Sequence, residues 1–284
     1  MIPSSFEYMR VSTVAEAIDA LRHDTDAKVL AGGHSLIPAM KLRLSQPSKL
    51  IDISRIPALN FIRDRGKYIA IGAATTHGTI ATHKTTVQKL PLLAHAASMI
   101  GDVQVRNMGT IGGSIAHADP AADWPAVLLA ADATIVVEGS TGVKKIPASE
   151  FFVDFFTTQL GDGELITEIH VPEPTVGTYR QAYAKFVQPA SRFAIVGCAI
   201  QFELKDGVIS NAHVAYNGVL ACAFRDAAVE SSLNGQPLTE ATIENAASKA
   251  GTLSNILSDN FASAPYRAHL TKIYTKRALQ SCLA

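Results

Sequence analysis

Two short segments of the chain pair glycines with small hydroxyl residues: Ala31-Gly32-Gly33-His34-Ser35-Leu36, entered from Leu30, and Thr110-Ile111-Gly112-Gly113-Ser114. Glycine lets the backbone come close to a ligand and turn amide donors toward it. Phosphate oxygens need convergent N–H and O–H donors, and Ser35, Thr110 and Ser114 supply the hydroxyls. Taken alone, either pair is also consistent with an ordinary turn. Taken together, each expected after an apolar strand, they read as two parts of a pyrophosphate cradle. Neither fits a P-loop, which needs a Lys-Ser/Thr after its glycines, and no G-x-G-x-x-G opens a helix after a strand. The chemistry is that of a dinucleotide held outside a Rossmann fold. A side chain at Gly112, as in Gly112→Val, is expected to fill the pyrophosphate approach and abolish cofactor retention while the second domain stays folded.

Other side chains near these segments carry two readings each. His34 can donate to a phosphate or pack against the ligand, or be a satisfied structural histidine. Asp123 can cap a helix, accept hydrogen bonds from a ribose hydroxyl, or do both with its two oxygens. Trp124 reads as core. Lys185, on a predicted strand, is either a solvated, snorkelling lysine or a group reaching back across a domain junction to the ligand. The loop from Gln188 to Phe193 either covers one face of a ring, with Phe193 as an aromatic edge, or packs as core. His77, His83, His95 and His117 lack metal-ligand spacing and read as surface or supporting groups. No Ser-His-Asp or paired-carboxylate constellation is present.

The elements that must position these residues begin with a helix signalled by a Thr13/Glu16 capping box and by Val14, Ile18 and Leu21 on one face. A strand over Lys28 to Leu30 delivers the first glycine pair. A helical or turn-rich stretch through Leu36, Met40 and Leu44 follows, then a strand at Leu50 to Ile53. Hairpins are expected at Phe61–Arg63 with Tyr68–Gly72, and at Thr134–Glu138 with Val143–Ile146. Helices are expected at Leu90–Ile100 and from Asp123 through Ala131, with a strand at Leu165–Val171. Pro172-Glu173-Pro174 followed by Gly177 is the linker signal. Beyond it the order changes to three antiparallel strands (Gln181–Phe186, Ala194–Leu204, Val208–Tyr216, with a turn at Asp206-Gly207). Helices then follow at Ala223–Leu233, Glu240–Ala250 and Ala264–Leu279. The last is expected to carry Arg267, Lys272, Lys276 and Arg277 on a solvated side. Strands first and helices after is the pattern of a segregated α+β domain.

With 284 residues the chain exceeds the ~250 at which single cores stop growing, so two domains are expected. Its 25 basic and 25 acidic residues cancel, which argues against nucleic acid or anionic lipid as a partner. No apolar run approaches the ~20 residues of a membrane span, and the start resembles no signal peptide, so a soluble, intracellular protein is expected. Cys198, Cys222 and Cys282 are odd in number and far apart, which disfavours disulfides or an iron–sulfur cluster within the chain. Hydrophobic residues make up 48% against 18% charged, a surplus that suggests covered subunit surfaces.

Four runs carry a family resemblance: Ala31-Gly32-Gly33-His34-Ser35-Leu36-Ile37-Pro38, Arg106-Asn107-Met108-Gly109-Thr110-Ile111-Gly112-Gly113-Ser114, Asp119-Pro120-Ala121-Ala122-Asp123-Trp124-Pro125-Ala126 and Gly163-Glu164-Leu165-Ile166-Thr167-Glu168-Ile169. End to end, the chain resembles the FAD-binding medium subunits of molybdenum hydroxylases, the family of aerobic carbon monoxide dehydrogenase and of bacterial xanthine, nicotine and aldehyde dehydrogenases. The resemblance implies an α+β architecture: a two-subdomain FAD-binding fold of the vanillyl-alcohol oxidase (PCMH) type over residues 1–176, divided near 55, and a C-terminal domain over 177–284. It implies pyrophosphate contacts at Ala31–Ser35 and Thr110–Ser114, with Leu30 and Leu36 flanking the first. It further implies an acidic contact at Asp123, a lysine at Lys185, an apolar isoalloxazine neighbour at Ile166 and an aromatic screen at Phe193.

The same resemblance implies partners: a large subunit with a molybdopterin cofactor, where substrate is oxidised, and a small subunit with two [2Fe-2S] clusters, assembled as a dimer of heterotrimers. Electrons would arrive from the clusters and leave to an external acceptor, in a cytoplasmic complex that is free or peripheral to the membrane. No residue of this chain would then act as an acid or base on the substrate. Two alternatives stay open at this stage: a stand-alone FAD-dependent oxidase, and a flavin-free scaffold subunit.

Overall fold

The capping box at the first helix forms with a one-residue shift. The Thr13 hydroxyl accepts the Glu16 amide at 3.2 Å, while the Glu16 carboxylate accepts the amide of Ser12, not Thr13, at 2.7 Å. Helix α1 (Val14–His23) buries Ala17 and Ile18 in a small core shared with Ile51 and Ile53. It accompanies a parallel sheet of β1 (Glu7–Arg10), β2 (Lys28–Leu30) and β3 (Lys49–Asp52), ordered β1-β3-β2. Helix α2 (Leu36–Lys41) leaves the first glycine segment. The computed structural model describes residues 1–175 and 178–283. Gly177, the expected end of the linker, lies outside them.

Next come β4 (Ile62–Asp64) and β5 (Tyr68–Gly72), then β6 (Thr134–Gly139) and β7 (Gly142–Pro147), both pairs as the sequence predicts. Between β5 and β6 in sequence run six helices: α3 (His77–Thr82), α4 (Lys84–Lys89), α5 (Pro91–Met99), α6 (Val103–Met108), α7 (Ile111–His117) and α8 (Asp123–Ala130). The chain then passes through α9 (Ala148–Phe151) and the small hairpin of β8 (Phe152–Asp154) and β9 (Thr157–Thr158) to β10 (Leu165–Pro172). Strand β10 inserts between the two hairpins and joins them into one antiparallel sheet, β4-β5-β10-β6-β7. Ile69, Ile71, Ile135 and Ile169 of this sheet share a core with Ile80, Leu93, Ile111 and Trp124.

The C-terminal sheet has four strands rather than three: β11 (Tyr179–Val187), β12 (Ala194–Lys205), β13 (Val208–Asn217) and the short edge strand β14 (Phe224–Arg225). Pairing of Phe224 with Tyr216 delays the next helix, so α10 spans Ala227–Leu233 and is capped by Asp226 rather than starting at Ala223. It is followed by α11 (Glu240–Lys249) and α12 (Ala264–Gln280). The β12–β13 turn places Asp206 and Gly207 at φ 53° and 78°, a left-handed pair suited to a tight hairpin.

Strand β12 is buried on both faces, which explains its near-continuous apolar run. Val196, Cys198, Ile200 and Phe202 join α10–α12 in one core, while Ala199, with Tyr183 and Ala215 beside it, joins the core that contains α8. The C-terminal sheet is thereby bonded to the segment leading into α8. The Gly218 amide donates to the Pro120 carbonyl at 2.7 Å and the Ala194 amide to that of Ala121 at 3.1 Å. Arg267 departs from its predicted solvated place: it is 4% exposed and donates to the carbonyls of Ile195 and Gly218. The helix turns this position inward, which charge alone cannot reveal. Among the described residues no helix is long and apolar enough to cross a membrane.

Candidate cofactor site

The two glycine segments meet. A Cβ on Gly32 would lie 2.1 Å from the Met108 carbonyl oxygen and 2.8 Å from the Gly109 Cα, so only glycine permits that crossing. A Cβ on Gly113 would lie 3.8 Å from the Ala31 Cβ. Gly33 takes φ +71° to turn the chain into α2, and Leu30 and Ile37 close around it. His34 is exposed, and its Nδ1 sits 2.8 Å from the Gly32 carbonyl. Ser35 caps α2 without using its hydroxyl, which stays available.

The two segments differ in what they offer. In the first, the amides of Gly32, Gly33, His34 and Ser35 have no acceptor among the described residues. In the second the amides are spent: Ile111 donates to Thr75 O (3.1 Å), Gly112 to Ala73 O (2.8 Å), Gly113 to Thr110 Oγ1 (3.1 Å) and Ser114 to Thr110 O (3.0 Å). The sequence expectation of two strand-led amide loops is therefore corrected. The second segment follows helix α6, makes an isolated β-bridge at Thr76–Thr110, and itself opens α7 with Thr110 as the cap. Gly112 packs inward, where a Cβ would strike Ala73 at 2.5 Å, while Gly113 is exposed beside Ala31. Gly113 and Ser114, not Gly112, form the open face.

Asp123 is the first residue of α8, but the N-cap is Ala122 and no side chain caps the helix. Its carboxylate instead pairs with the Lys185 ammonium at 2.9 Å, with side-chain exposures of 5% and 0%. Lys185 is thus not solvated; it crosses the junction, and the group it meets is Asp123. The Tyr183 hydroxyl, two residues along the same face of β11, also donates to Asp123. Lys185 donates further to the Arg192 carbonyl at 3.0 Å, which ties down the loop carrying Phe193. Burial pushes the Asp123 carboxyl up, and the Lys185 charge pulls it back. Phe193 is 39% exposed, so the core reading of that ring fails. Ile166 is buried beside a bulge in β10, in the same core as Ile111.

Sequence reasoning missed Tyr183 as a site neighbour, and of its two readings of His77 the supporting one fits. His77 is buried, not a surface group. Its backbone amide donates to the Gly109 carbonyl at 3.0 Å, and the Trp124 indole N–H donates to its Nδ1 at 3.0 Å. Trp124 is core as expected, yet it also orients this ring. Tyr183 was accessible to a period-two reading from Lys185; the His77–Trp124 pair left no local signal.

Spare amides beside a glycine surface, with free hydroxyls at Ser35 and Ser114, fit a diphosphate, and the site is that of a dinucleotide-binding protein built without a Rossmann unit. The model of the FAD binding domain in molybdopterin dehydrogenase matches residues 4–174, and that of the CO dehydrogenase flavoprotein C-terminal domain matches residues 181–282. The chain belongs to the family of FAD-binding medium subunits of molybdenum hydroxylases. It is 40% identical to the carbon monoxide dehydrogenase medium chain of Hydrogenophaga pseudoflava, over 100% of this chain and 99% of that one. It is 38% identical to the glyceraldehyde dehydrogenase medium chain of Sulfolobus acidocaldarius, over 99% of both. The solved carbon monoxide dehydrogenase of H. pseudoflava superimposes with a TM-score of 0.96, covering 100% of this chain and 99% of its counterpart. The architecture expected from the resemblance, an FAD-binding region followed by a C-terminal α+β region, is the one observed.

Proposed function

We propose that this FAD-binding subunit carries electrons within a molybdenum-containing hydroxylase or dehydrogenase, taking them from [2Fe-2S] clusters of a small partner subunit and delivering them to an external acceptor. A large partner subunit holds the molybdopterin cofactor and oxidises the substrate, and the assembly is a cytoplasmic dimer of heterotrimers. The convergence of the two glycine segments carries this reading, supported by similarity across the whole chain to medium subunits of such complexes.

The chain's residues divide the work of holding FAD. The amides of Gly32 to Ser35 and the Ser35 hydroxyl donate to the diphosphate, and Gly113 with Ser114 lets it approach α7. Leu30, Ala31, Leu36, Thr110, Ile111 and Gly112 shape and support these two surfaces. Asp123, fixed by Lys185 and Tyr183, keeps lone pairs that can accept from a ribityl hydroxyl. Ile166 and Phe193 supply apolar surface for the ring system. When bound, the flavin supplies conversion between one- and two-electron transfer.

Purification of the native complex tests the assignment. A large molybdenum-containing chain, a small iron–sulfur chain and stoichiometric flavin on this chain are expected. Isolation of this chain alone with full substrate turnover would overturn it.

A further inference from the structure

His77 is 5% exposed. Because the Trp124 N–H donates to its Nδ1, that atom carries a lone pair, and the proton of the neutral ring sits on Nε2. Burial, with the nearby His34 and Arg106, pushes the imidazole down from 6.5 to about 3, so the ring stays neutral. Nε2 lies 2.8 Å from the point that a Cβ on Gly109 would occupy, and Gly109 is where Gly32 crosses the second segment. The Nε2–H has no acceptor among the described residues and is not fully enclosed, so it is left free to donate to a ligand. Its surroundings suit an anion: the Arg106 guanidinium is nearby, and the spare amides of Gly32 to Ser35 lie on the adjoining segment.

We propose that His77 is a further cofactor-binding residue, whose Nε2–H, set by Trp124, donates to an anionic oxygen of the FAD diphosphate. This rests on the reading that the chain binds FAD. A neutral donor gives the contact without placing a buried cation beside Arg106, and its strength does not vary across neutral pH.

The test uses flavin-depleted protein titrated with FAD, ADP and inorganic pyrophosphate. His77→Phe, which keeps a ring but removes the donor, is expected to weaken FAD and ADP about tenfold or more, the value of a hydrogen bond to a charged group. His77→Gln, which retains an N–H, recovers most of that loss. In the wild type, the 15N-bound Nε2 proton signal is expected to shift on addition of ADP or pyrophosphate. Wild-type affinity in His77→Phe, equal weakening by Phe and Gln, or an Nε2 signal indifferent to all three ligands would each overturn the contact. Failure of the wild type to bind FAD at all would instead overturn the cofactor assignment.

Discussion

Lys185 meets the Asp123 carboxylate at 2.9 Å across the boundary between β11 and α8, with both side chains sealed from water. An ion pair so placed is costly to break from one side, because the survivor stays buried and uncompensated. Lys185→Met is expected to destabilise the protein by about 3–5 kcal/mol, less whatever is regained when Asp123 takes up a proton. Adding Asp123→Asn should restore part of the loss. Urea unfolding of the two single variants and the double variant gives the coupling; strict additivity would show that the pair is not a unit.

The neighbouring glycines of the second segment should respond differently. Gly112→Val drives side-chain atoms into Ala73 and should lower the melting temperature, with flavin loss following from misplacement of α7. Gly113→Ala sets a Cβ 3.8 Å from the Ala31 Cβ and 2.8 Å from the Thr110 hydroxyl, which must shift, and should cut FAD affinity with a smaller loss of stability than Gly112→Val. Melting curves with and without added FAD separate the two; equal melting temperatures would refute the distinction.

Acid should expose the buried histidine. The native imidazole titrates near 3 and the unfolded one near 6.5, so between those values the unfolded chain binds more protons and stability falls as pH drops. At 1.36 kcal/mol per unit, the loss between pH 7 and pH 4 from this group is about 3 kcal/mol. Urea unfolding of flavin-free wild type and His77→Gln at both pH values checks it, and the variant should lack this increment.

Arg267 anchors the C-terminal domain by donating to the carbonyls of Ile195 and Gly218 and pairing with Asp259, while its Nε has no partner among the described residues. Arg267→Met preserves the stem but strips both carbonyls of their donor, at about 1–3 kcal/mol for each group left unsatisfied. Hydrogen exchange should accelerate at the ends of β12 and β13 and remain unchanged in β1–β3.

Local signals carried much of the architecture. The Thr13 cap, the Asp206-Gly207 turn and the long apolar strands are written in residues a few positions apart, and those elements appear where expected. Helices α3, α4, α6 and α7 escaped because six or seven residues hold too few turns for a periodic pattern to stand out. The edge strand β14, two residues long, exists only because β13 offers it a partner.

The sequence alone supplied the expectation of a dinucleotide on two glycine segments and the family the chain resembles, since glycines, hydroxyls and their spacing are readable residue by residue. Tertiary structure decided how the work is shared. That the first segment keeps its amides free while the second spends its own depends on Ala73 and Thr75 lying behind α7. That Asp123 answers to Lys185, and Trp124 to His77, depends on contacts spanning 62 and 47 positions. Packing creates such pairings, and no local pattern records them.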